Sequence, residues 1–448
     1  MKLFLFDSLT NQINCLVIVP QQKINLYLCG PTVYDHIHLG NLRPIMVFDV
    51  LHRLLLTLGL KVNYVHNITD IDDKIIEKAQ KEKKTEQAIT NHYSKVYFQN
   101  LYNTNILSPT FLPKVTNHIL QIQDFISKLQ EKKVAYQQGK NVLFSLKNQV
   151  SYGQLSKQNL TKLITEPKAI LSHQKKDFKD FYLWKETSEG ITWSSPWGKG
   201  RPGWHTECVS FIQNFFAGET IDIHGGGKDL LFPHHENERI QYLAYNNQEL
   251  SRIWLHINHI NWKEEKMSKS LGNVILAKHF VKKYGANIVR HLILSSNFQQ
   301  EIKLSENLIE QSVNYVAKLE NLFKRLRFYF YLAKISIPNG DSKNIFLYKE
   351  KVMQTLSNNL NTAKCFYFLD EIIGNLNRFI DKNRKDKEFF ISVNDLSFVL
   401  EILGFKFDLS SYNLSVKVLL KQWEIEQLNK NYAKADKIRE QLQKIKIL

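Results

Sequence analysis

Residues 24–29 (INLYLC) form a short, mostly apolar run that Gly30-Pro31 cuts off. An amphipathic stretch over about 40–58 (GNLRPIMVFDVLHRLLLTL) follows, and then a second strand-like run, KVNYVH, at 61–66. Strand, helix and strand within about 45 residues is the length of a βαβ unit. Parallel neighbours need such a crossover, whereas antiparallel ones can be joined by a tight turn. The pattern therefore predicts a parallel, nucleotide-binding α/β sheet. Its ligands are expected outside the C-terminal ends of the strands.

The rest of the chain divides by pattern. Residues 1–112 hold the first half of the α/β domain. A helical run (HILQIQDFISKLQEKK), a strand-like VLFSL and a polar, Lys-rich stretch make 113–200 an insertion. The α/β pattern resumes over 201–262 with IDIH and a further strand-like segment, WLHINHINW. Residues 263–300 form a linking region, and 301–448 are helical in period, with Pro338-Asn339-Gly340-Asp341 as a turn. A chain of 448 residues suits roughly three folding units.

Lys and Arg number 60 against 43 Asp and Glu, a formal charge of +17. That excess suits a polyanionic partner such as nucleic acid or a nucleotide, although a general drift towards Lys gives the same sum. Four cysteines, at 15, 29, 208 and 365, are too few and too scattered for a disulfide scaffold. Cys15 and Cys365 are expected as small buried hydrophobes. The apolar stretch at the N-terminus stops at Asp7, and no run approaches the ~18 residues of a membrane span. A soluble, cytoplasmic protein without a membrane partner is expected.

Five segments carry chemistry. His38-Leu39-Gly40-Asn41 lies where the first strand feeds the helix, a place suited to a base or phosphate, with His38 as a donor to developing charge. A tight turn with an incidental histidine reads the same way. Lys266-Met267-Ser268-Lys269-Ser270 is a cationic loop that can clamp nucleotide phosphates, or a solvated surface loop. Cys29, Cys208, His234 and Glu238 offer two sulfurs, an imidazole and a carboxylate, a donor mixture that suits zinc. His234 and Glu238 are four apart on one helix face, while His235 and Glu236 point elsewhere. No CxxC spacing is present, so the spacing alone leaves metal binding open. His224-Gly225-Gly226-Gly227 would expose backbone N–H groups to a ligand, or make a flexible turn. Asn67-Ile68-Thr69-Asp70 ends the second strand, where it can face a ligand or cap the next helix.

Together these segments resemble the cysteinyl-tRNA synthetase family of class I aminoacyl-tRNA synthetases. His38 to Asn41 is similar to the HIGH motif, with Asn at its fourth place, and residues 266–270 read KMSKS. CGPTVYD, NITDIDDK, GRPGWHTEC and HGGGKDLLFPHHENE occur in the family's order. The resemblance, over about residues 20–440, implies a Rossmann-like catalytic domain with a connective insertion. It implies KMSKS and stem-contact segments at 263–300 and a helical anticodon-binding bundle at 301–448. It implies a ligase that activates L-cysteine with ATP and passes it to the 3′ end of tRNA(Cys). The implied roles are zinc ligation by Cys29, Cys208, His234 and Glu238, one ion per chain, and ATP binding and catalysis by His38, Gly40, Asn41, Lys266 and Lys269. Thr69, Trp204, His224 and Asp229 are implied around the amino acid. Mg²⁺ is expected with ATP, and the family expectation is a monomer. The chain departs from the family pattern at NFQQE (297–301) and WEIEQ (423–427), in the part implied to contact tRNA.

Overall fold

The computed structural model describes residues 2–19, 21–158, 175–262, 265–266, 274–335 and 345–445. Two compact units share the chain. One comprises 1–285, 296–305 and 356–361; the other comprises 286–295, 306–355 and 362–448. The backbone thus passes between them at five places.

The first unit opens with a hairpin of β1 (Lys2–Asp7) and β2 (Gln12–Val17). Asp7 closes its turn by accepting hydrogen bonds from Leu9 N, Thr10 N and Asn14 Nδ2. Cys15 is exposed rather than buried, because β2 pairs only with β1 among the described strands. Asn359, distant in sequence, joins this unit: its N donates to Phe4 O at 2.7 Å and its Oδ1 accepts from Phe6 N at 2.9 Å.

The expected strand–helix–strand is present as β3 (Lys23–Leu28), α1 (Leu39–Thr57) and β4 (Lys61–His66). The strands pair in parallel, from Lys23 opposite Lys61 to Leu28 opposite His66. Next come α2 (Asp73–Glu82), α3 (Glu86–Asn103) and α4 (Ile119–Glu131). An antiparallel sheet follows, β5 (Ala135–Gln138), β6 (Asn141–Phe144), β7 (Phe181–Glu186) and β8 (Gly200–Pro202), in that order. Then come α5 (Trp204–Phe215), β9 (Ile221–Gly227), α6 (Glu236–Asn246) and β10 (Ser251–Ile257).

The main sheet has the order β10-β9-β3-β4, with every pair parallel. From β3 the chain crosses to β4 on one side, and β9 later pairs on the other. The strand order therefore reverses between β3 and β9, the crevice where open α/β sheets bind ligands. One buried cluster joins this sheet to the inserted segments, including Tyr27, Val65, Phe125, Ile126, Trp184 and Trp254.

The stretch 254–262, read from sequence as one strand, is two. β10 ends at Ile257, and β11 (Ile260–Trp262) belongs to a small sheet with β12 (Glu265–Lys266) and, beyond α7 (Ala277–Tyr284) and α8 (Ala286–Leu294), β13 (Ile302–Leu304). Arg43 accounts for the break. This side chain is fully buried on α1, and its guanidinium donates to the carbonyls of Asn258, His259 and Asn297 at 2.8–2.9 Å. Asn258 O turns inward to the cation, while His259 O also accepts from Ile302 N at 3.0 Å, where β11 begins to pair with β13. The departure at 297–301 is bonded within the same unit, where Gln299 O accepts from Asn258 Nδ2 and Gln299 Oε1 from Asn359 Nδ2.

The second unit is helical, as the period predicts. It holds α8, α9 (Glu306–Ala333), most of α10 (Lys349–Ser357), α11 (Thr362–Asp381), α12 (Lys387–Ile402), α13 (Leu414–Leu428) and α14 (Tyr432–Lys444). Trp423, within the second departure, packs on a small cluster of Tyr412, Val416, Leu420 and Leu442. Pro338–Asp341 lies outside the described residues. No described helix is long and apolar enough to cross a membrane.

Each unit buries a neutral imidazole. His66 bonds Leu28 O through Nδ1 at 2.9 Å and Tyr97 Oη through Nε2 at 2.5 Å. His291 bonds Ser312 Oγ at 3.0 Å. Burial lowers both to about 4 from an ordinary value near 6.5. Between those values the unfolded chain binds protons that the folded chain refuses. The stability these groups contribute is complete above about pH 6.5 and is lost as pH falls towards 4. The unfolding midpoint in urea should therefore drop over that window. A His66→Gln variant should show a shallower drop, and curves of equal slope for the two proteins would contradict this account.

Candidate metal and nucleotide site at the sheet switch point

The parallel pairing of β3 with β9 sets the site. Cys29 N donates to Gly225 O at 3.2 Å, which holds the residue just beyond β3 against β9. Gly30 follows because the chain passes hard against the strand end of β4: a Cβ there would lie 1.6 Å from Asn67 O. Cys208 comes from α5, and His234 and Glu238 from the turn into and the first turn of α6.

The donor atoms of Cys29, Cys208, His234 and Glu238 all lie within 4.8 Å of one another. The two sulfurs are 3.8 Å apart, each is 3.6 Å from His234 Nε2, and Cys29 Sγ is 3.4 Å from Glu238 Oε1. A tetrahedron with Zn–S about 2.3 Å and Zn–N about 2.0–2.1 Å has S–S and S–N edges of about 3.8 and 3.6 Å. The His234 Nε2–Glu238 Oε1 separation, 2.8 Å, is that of a direct ion pair. The four side chains thus fit zinc in donor type and, at the sulfurs, in spacing. Two thiolates and a carboxylate would more than balance its charge.

Burial and Cys208 push the Cys29 thiol well up. Burial also opposes ionisation of Cys208, but hydrogen bonds from Cys29 and His234 outweigh it and hold that thiol below its usual value. Burial disfavours a charged His234 as well; the Glu238 carboxylate overrides it and raises the imidazole to about 10. Around these donors stand partners that orient them. His205 Nδ1 lies 3.0 Å from His234 Nδ1, and burial, with His234 beside it, lowers His205 to about 3, so His205 is a neutral acceptor. His224 Nε2 lies 2.5 Å from Glu238 Oε2. Such outer partners fix ligand orientation and basicity.

His224 is fully buried behind Glu238 and stacks on Trp254. Trp204 is 39% exposed and stacks on the His234 ring at 4.2 Å between centroids. Thr69 is buried beside Asn67, whose Nδ2 donates to its Oγ1 at 3.1 Å, and Asp229 is exposed just after β9. The three glycines are not a turn. Gly225 to Gly227 continue β9, opposite Leu255 to Ile257. His235, which helical spacing turns away, is also close: its donor atom forms a second group with Cys29, His224 and Glu238. The four-residue period does bring His234 onto Glu238, at 2.8 Å, and His235 is held beside them by its Nδ1 contact with His256 Nε2 at 2.7 Å.

His38 caps α1. Its Nδ1 accepts from Asn41 N at 3.2 Å, and Asn41 Oδ1 accepts in return from His38 N at 3.0 Å. Asn41 at the fourth position thereby completes a reciprocal cap, worth about 1 kcal/mol. An accepting Nδ1 leaves the proton of the neutral ring on Nε2. The segment after the Lys-rich loop is tied to this element: Leu39 N donates to Ile275 O, and Ala277 N to Ile37 O. Lys266 closes β12, while Lys269 lies outside the described residues. Glu207 was not legible as a site residue. It is 1% exposed beside Cys208, and burial, then Cys208, Asp72 and Asp70, push its carboxyl well up.

The class I (C) tRNA synthetase catalytic domain model matches residues 15–314. Two cysteine–tRNA ligases are similar over 98% of both chains: that of Mesoplasma florum is 39% identical, and that of Mycoplasma capricolum subsp. capricolum 42%. Among solved structures, Mycobacterium tuberculosis methionyl-tRNA synthetase in complex with methionyl-adenylate has a TM-score of 0.61 at 13% identity, covering 85% of this chain and 89% of that one. A putative arginyl-tRNA synthetase from Campylobacter jejuni has a TM-score of 0.59 at 14% identity, covering 87% and 94%. The fold is accordingly that of a class I tRNA synthetase. Within that class, the chain belongs to the cysteine–tRNA ligase family.

Removing a sulfur donor should empty the centre. Cys208→Ser is expected to lower zinc from about one ion per chain to below about 0.2, read by elemental analysis of purified protein. His205→Ala should keep the ion at saturation but weaken its affinity about 10–100-fold in competition with a chelator. Unchanged affinity would show that His205 does not support His234.

Proposed function

We propose that this chain is a cysteine–tRNA ligase. The observation that carries the reading is the thiol–imidazole–carboxylate centre at the switch point, on the same sheet whose first crossover helix opens with the capped His38-Leu39-Gly40-Asn41 element. L-Cysteine, ATP as its magnesium complex, and tRNA(Cys) are the substrates.

Cys29, Cys208, His234 and Glu238 hold zinc. When bound, it supplies a soft Lewis acid that favours a thiolate over an alcohol. A cavity by itself discriminates poorly between near-isosteres, by about 1–3 kcal/mol for a methylene, so cysteine and serine need such a chemical distinction. His224 and His205 hold Glu238 and His234 in place. Trp204 and Thr69 border the amino acid, with Asp229 beyond the end of β9.

The cysteine carboxylate attacks the α-phosphorus of ATP. A new O–P bond forms, the bond to the bridging oxygen breaks, and pyrophosphate leaves. His38 donates its Nε2 proton in a hydrogen bond to phosphate oxygens as charge moves towards the leaving group. Lys266 and Lys269 neutralise that charge, and Gly40 lets the nucleotide approach the backbone. Aligning the reactants supplies the remaining acceleration without an enzyme nucleophile. In the second half, a terminal ribose hydroxyl of tRNA takes the cysteinyl group and AMP leaves. Residues 113–200 act as the connective insertion, and the helices of 301–448 as the platform for the anticodon arm.

Cysteine-dependent exchange of labelled pyrophosphate into ATP tests the activation step. The full chain should exchange with cysteine at least a thousandfold faster than with serine. Lys269→Ala should lower the exchange kcat about 10²–10³-fold with the cysteine KM within threefold. Exchange that is equal with serine would overturn the assignment. Matched losses in kcat and KM would overturn the role of Lys269.

A further inference from the structure

A short backbone bridge ties the start of α7 to the His38 element. His38 lies opposite Leu276 in an antiparallel pair. Leu39 N donates to Ile275 O at 2.9 Å, and Ala277 N to Ile37 O at 3.0 Å. Counted outward from the His38 pair, Ile37 meets Ala277 and His36 meets Lys278. The backbone ladder stops there because α7 begins at Ala277. The side chains carry it one rung further: Lys278 Nζ lies 2.6 Å from His36 Nε2. Facing side chains of this kind are the unit that secures a strand pairing.

We propose that His36 is a positioning residue for the activation step, holding the Lys278 ammonium so that the start of α7 stays clamped to His38. The proposal rests on the nucleotide reading of His38 above and deepens it. An ammonium has only donors, so Nε2 accepts and the neutral ring keeps its proton on Nδ1. That Nδ1 is buried and has no hydrogen-bond partner among the described residues, which leaves Lys278 as the polar anchor of the ring. From α3, Tyr93 meets the ring edge-on at 5.1 Å between centroids, and His92 stands at 6.4 Å. The ring is thus seated on α3 and bonded to α7. His38 has extended backbone, in which residues two apart share a face. Fixing His36 therefore fixes the direction in which His38 presents its own Nε2 proton to phosphate.

The clamp depends on protonation. A proton on His36 Nε2 removes the acceptor and sets two cations in contact. Around the ring stand Lys278 and His279 of α7, His92 and Tyr93 of α3, and the adjacent Asp35, which lies 3.9 Å from Lys78 of α2. Burial, then Lys278, lowers the imidazole below its ordinary value near 6.5, and Asp35 opposes them. The ring is neutral at pH 7, so the clamp is closed there and opens in acid.

Pyrophosphate exchange by the full chain at pH 8 tests the clamp. His36→Phe keeps a ring against Tyr93 but loses the acceptor, and Lys278→Met loses the donor. Each should lower kcat at least tenfold, with the cysteine KM within threefold. His36→Gln, whose amide oxygen accepts from an ammonium at any pH, should stay within threefold of the parent. From pH 8 to pH 5, the rate of the Gln variant relative to the parent should rise at least fivefold. Parent-like exchange in either the Phe or the Met variant, a Gln variant as slow as the Phe variant, or a flat ratio would overturn the proposal. A second measurement needs no substrate. The His36 titration, followed by NMR of histidine-labelled protein, should move up by roughly half a pH unit or more in Lys278→Met, and an unmoved midpoint would overturn the pairing. A parent without cysteine-dependent exchange would instead refute the proposed function, while the titration would still report on the clamp.

Discussion

The bond from Cys29 N to Gly225 O is the constraint on which the site depends. It registers β3 against β9 where the strand order reverses, and so brings a thiol from residue 29 to an α5 and α6 that begin at residues 204 and 236. The pairing tolerates little bulk. A Cβ at Gly225 would lie 2.4 Å from Leu255 O and 2.5 Å from the Phe48 ring. Strand spacing, the seat of α1 on the sheet and the assembly of the four donors are thus one packing problem.

Charge is handled by unequal pairing. Glu238 raises His234 to about 10, while His205 and His256 are each lowered to about 3, chiefly by burial. His256 passes its restraint outward, from His235 Nδ1 at 2.7 Å to Ser8 Oγ at 2.8 Å. The imidazoles form a stacked, hydrogen-bonded scaffold with Trp254, and only the donor set presents sulfur. A centre of this kind can discriminate by ligand softness, which shape alone does not provide.

Much of this was legible in the chain itself. Apolar period, a Gly-Pro stop and a short second strand suffice for the βαβ unit, because each is a local signal. Cys29, Cys208, His234 and Glu238 could be grouped by donor chemistry and by resemblance, but their meeting depends on sheet order, which is not local. His235 was set aside because the four-residue period pairs only His234 with Glu238, whereas its closeness to Cys29 and His224 comes from the packing of α6 on the sheet. The glycines at 225–227 read as a loop because strand glycines serve packing that only the neighbours reveal. Arg43 and Glu207 carry no sequence signal of their own: a buried cation bonded to three carbonyls looks like any arginine on an amphipathic helix.

The alternation of the backbone between the two units has a practical meaning for fragment work. Residues 296–305 and 356–361 belong with the first unit, and Asn358 and Asn359 pair with Phe4 and Phe6 of the opening hairpin. No single cleavage point yields an intact half. A piece ending near 300 would forfeit its own hairpin clasp, so dissecting catalysis from RNA recognition calls for point changes or a grafted closing segment rather than shortening.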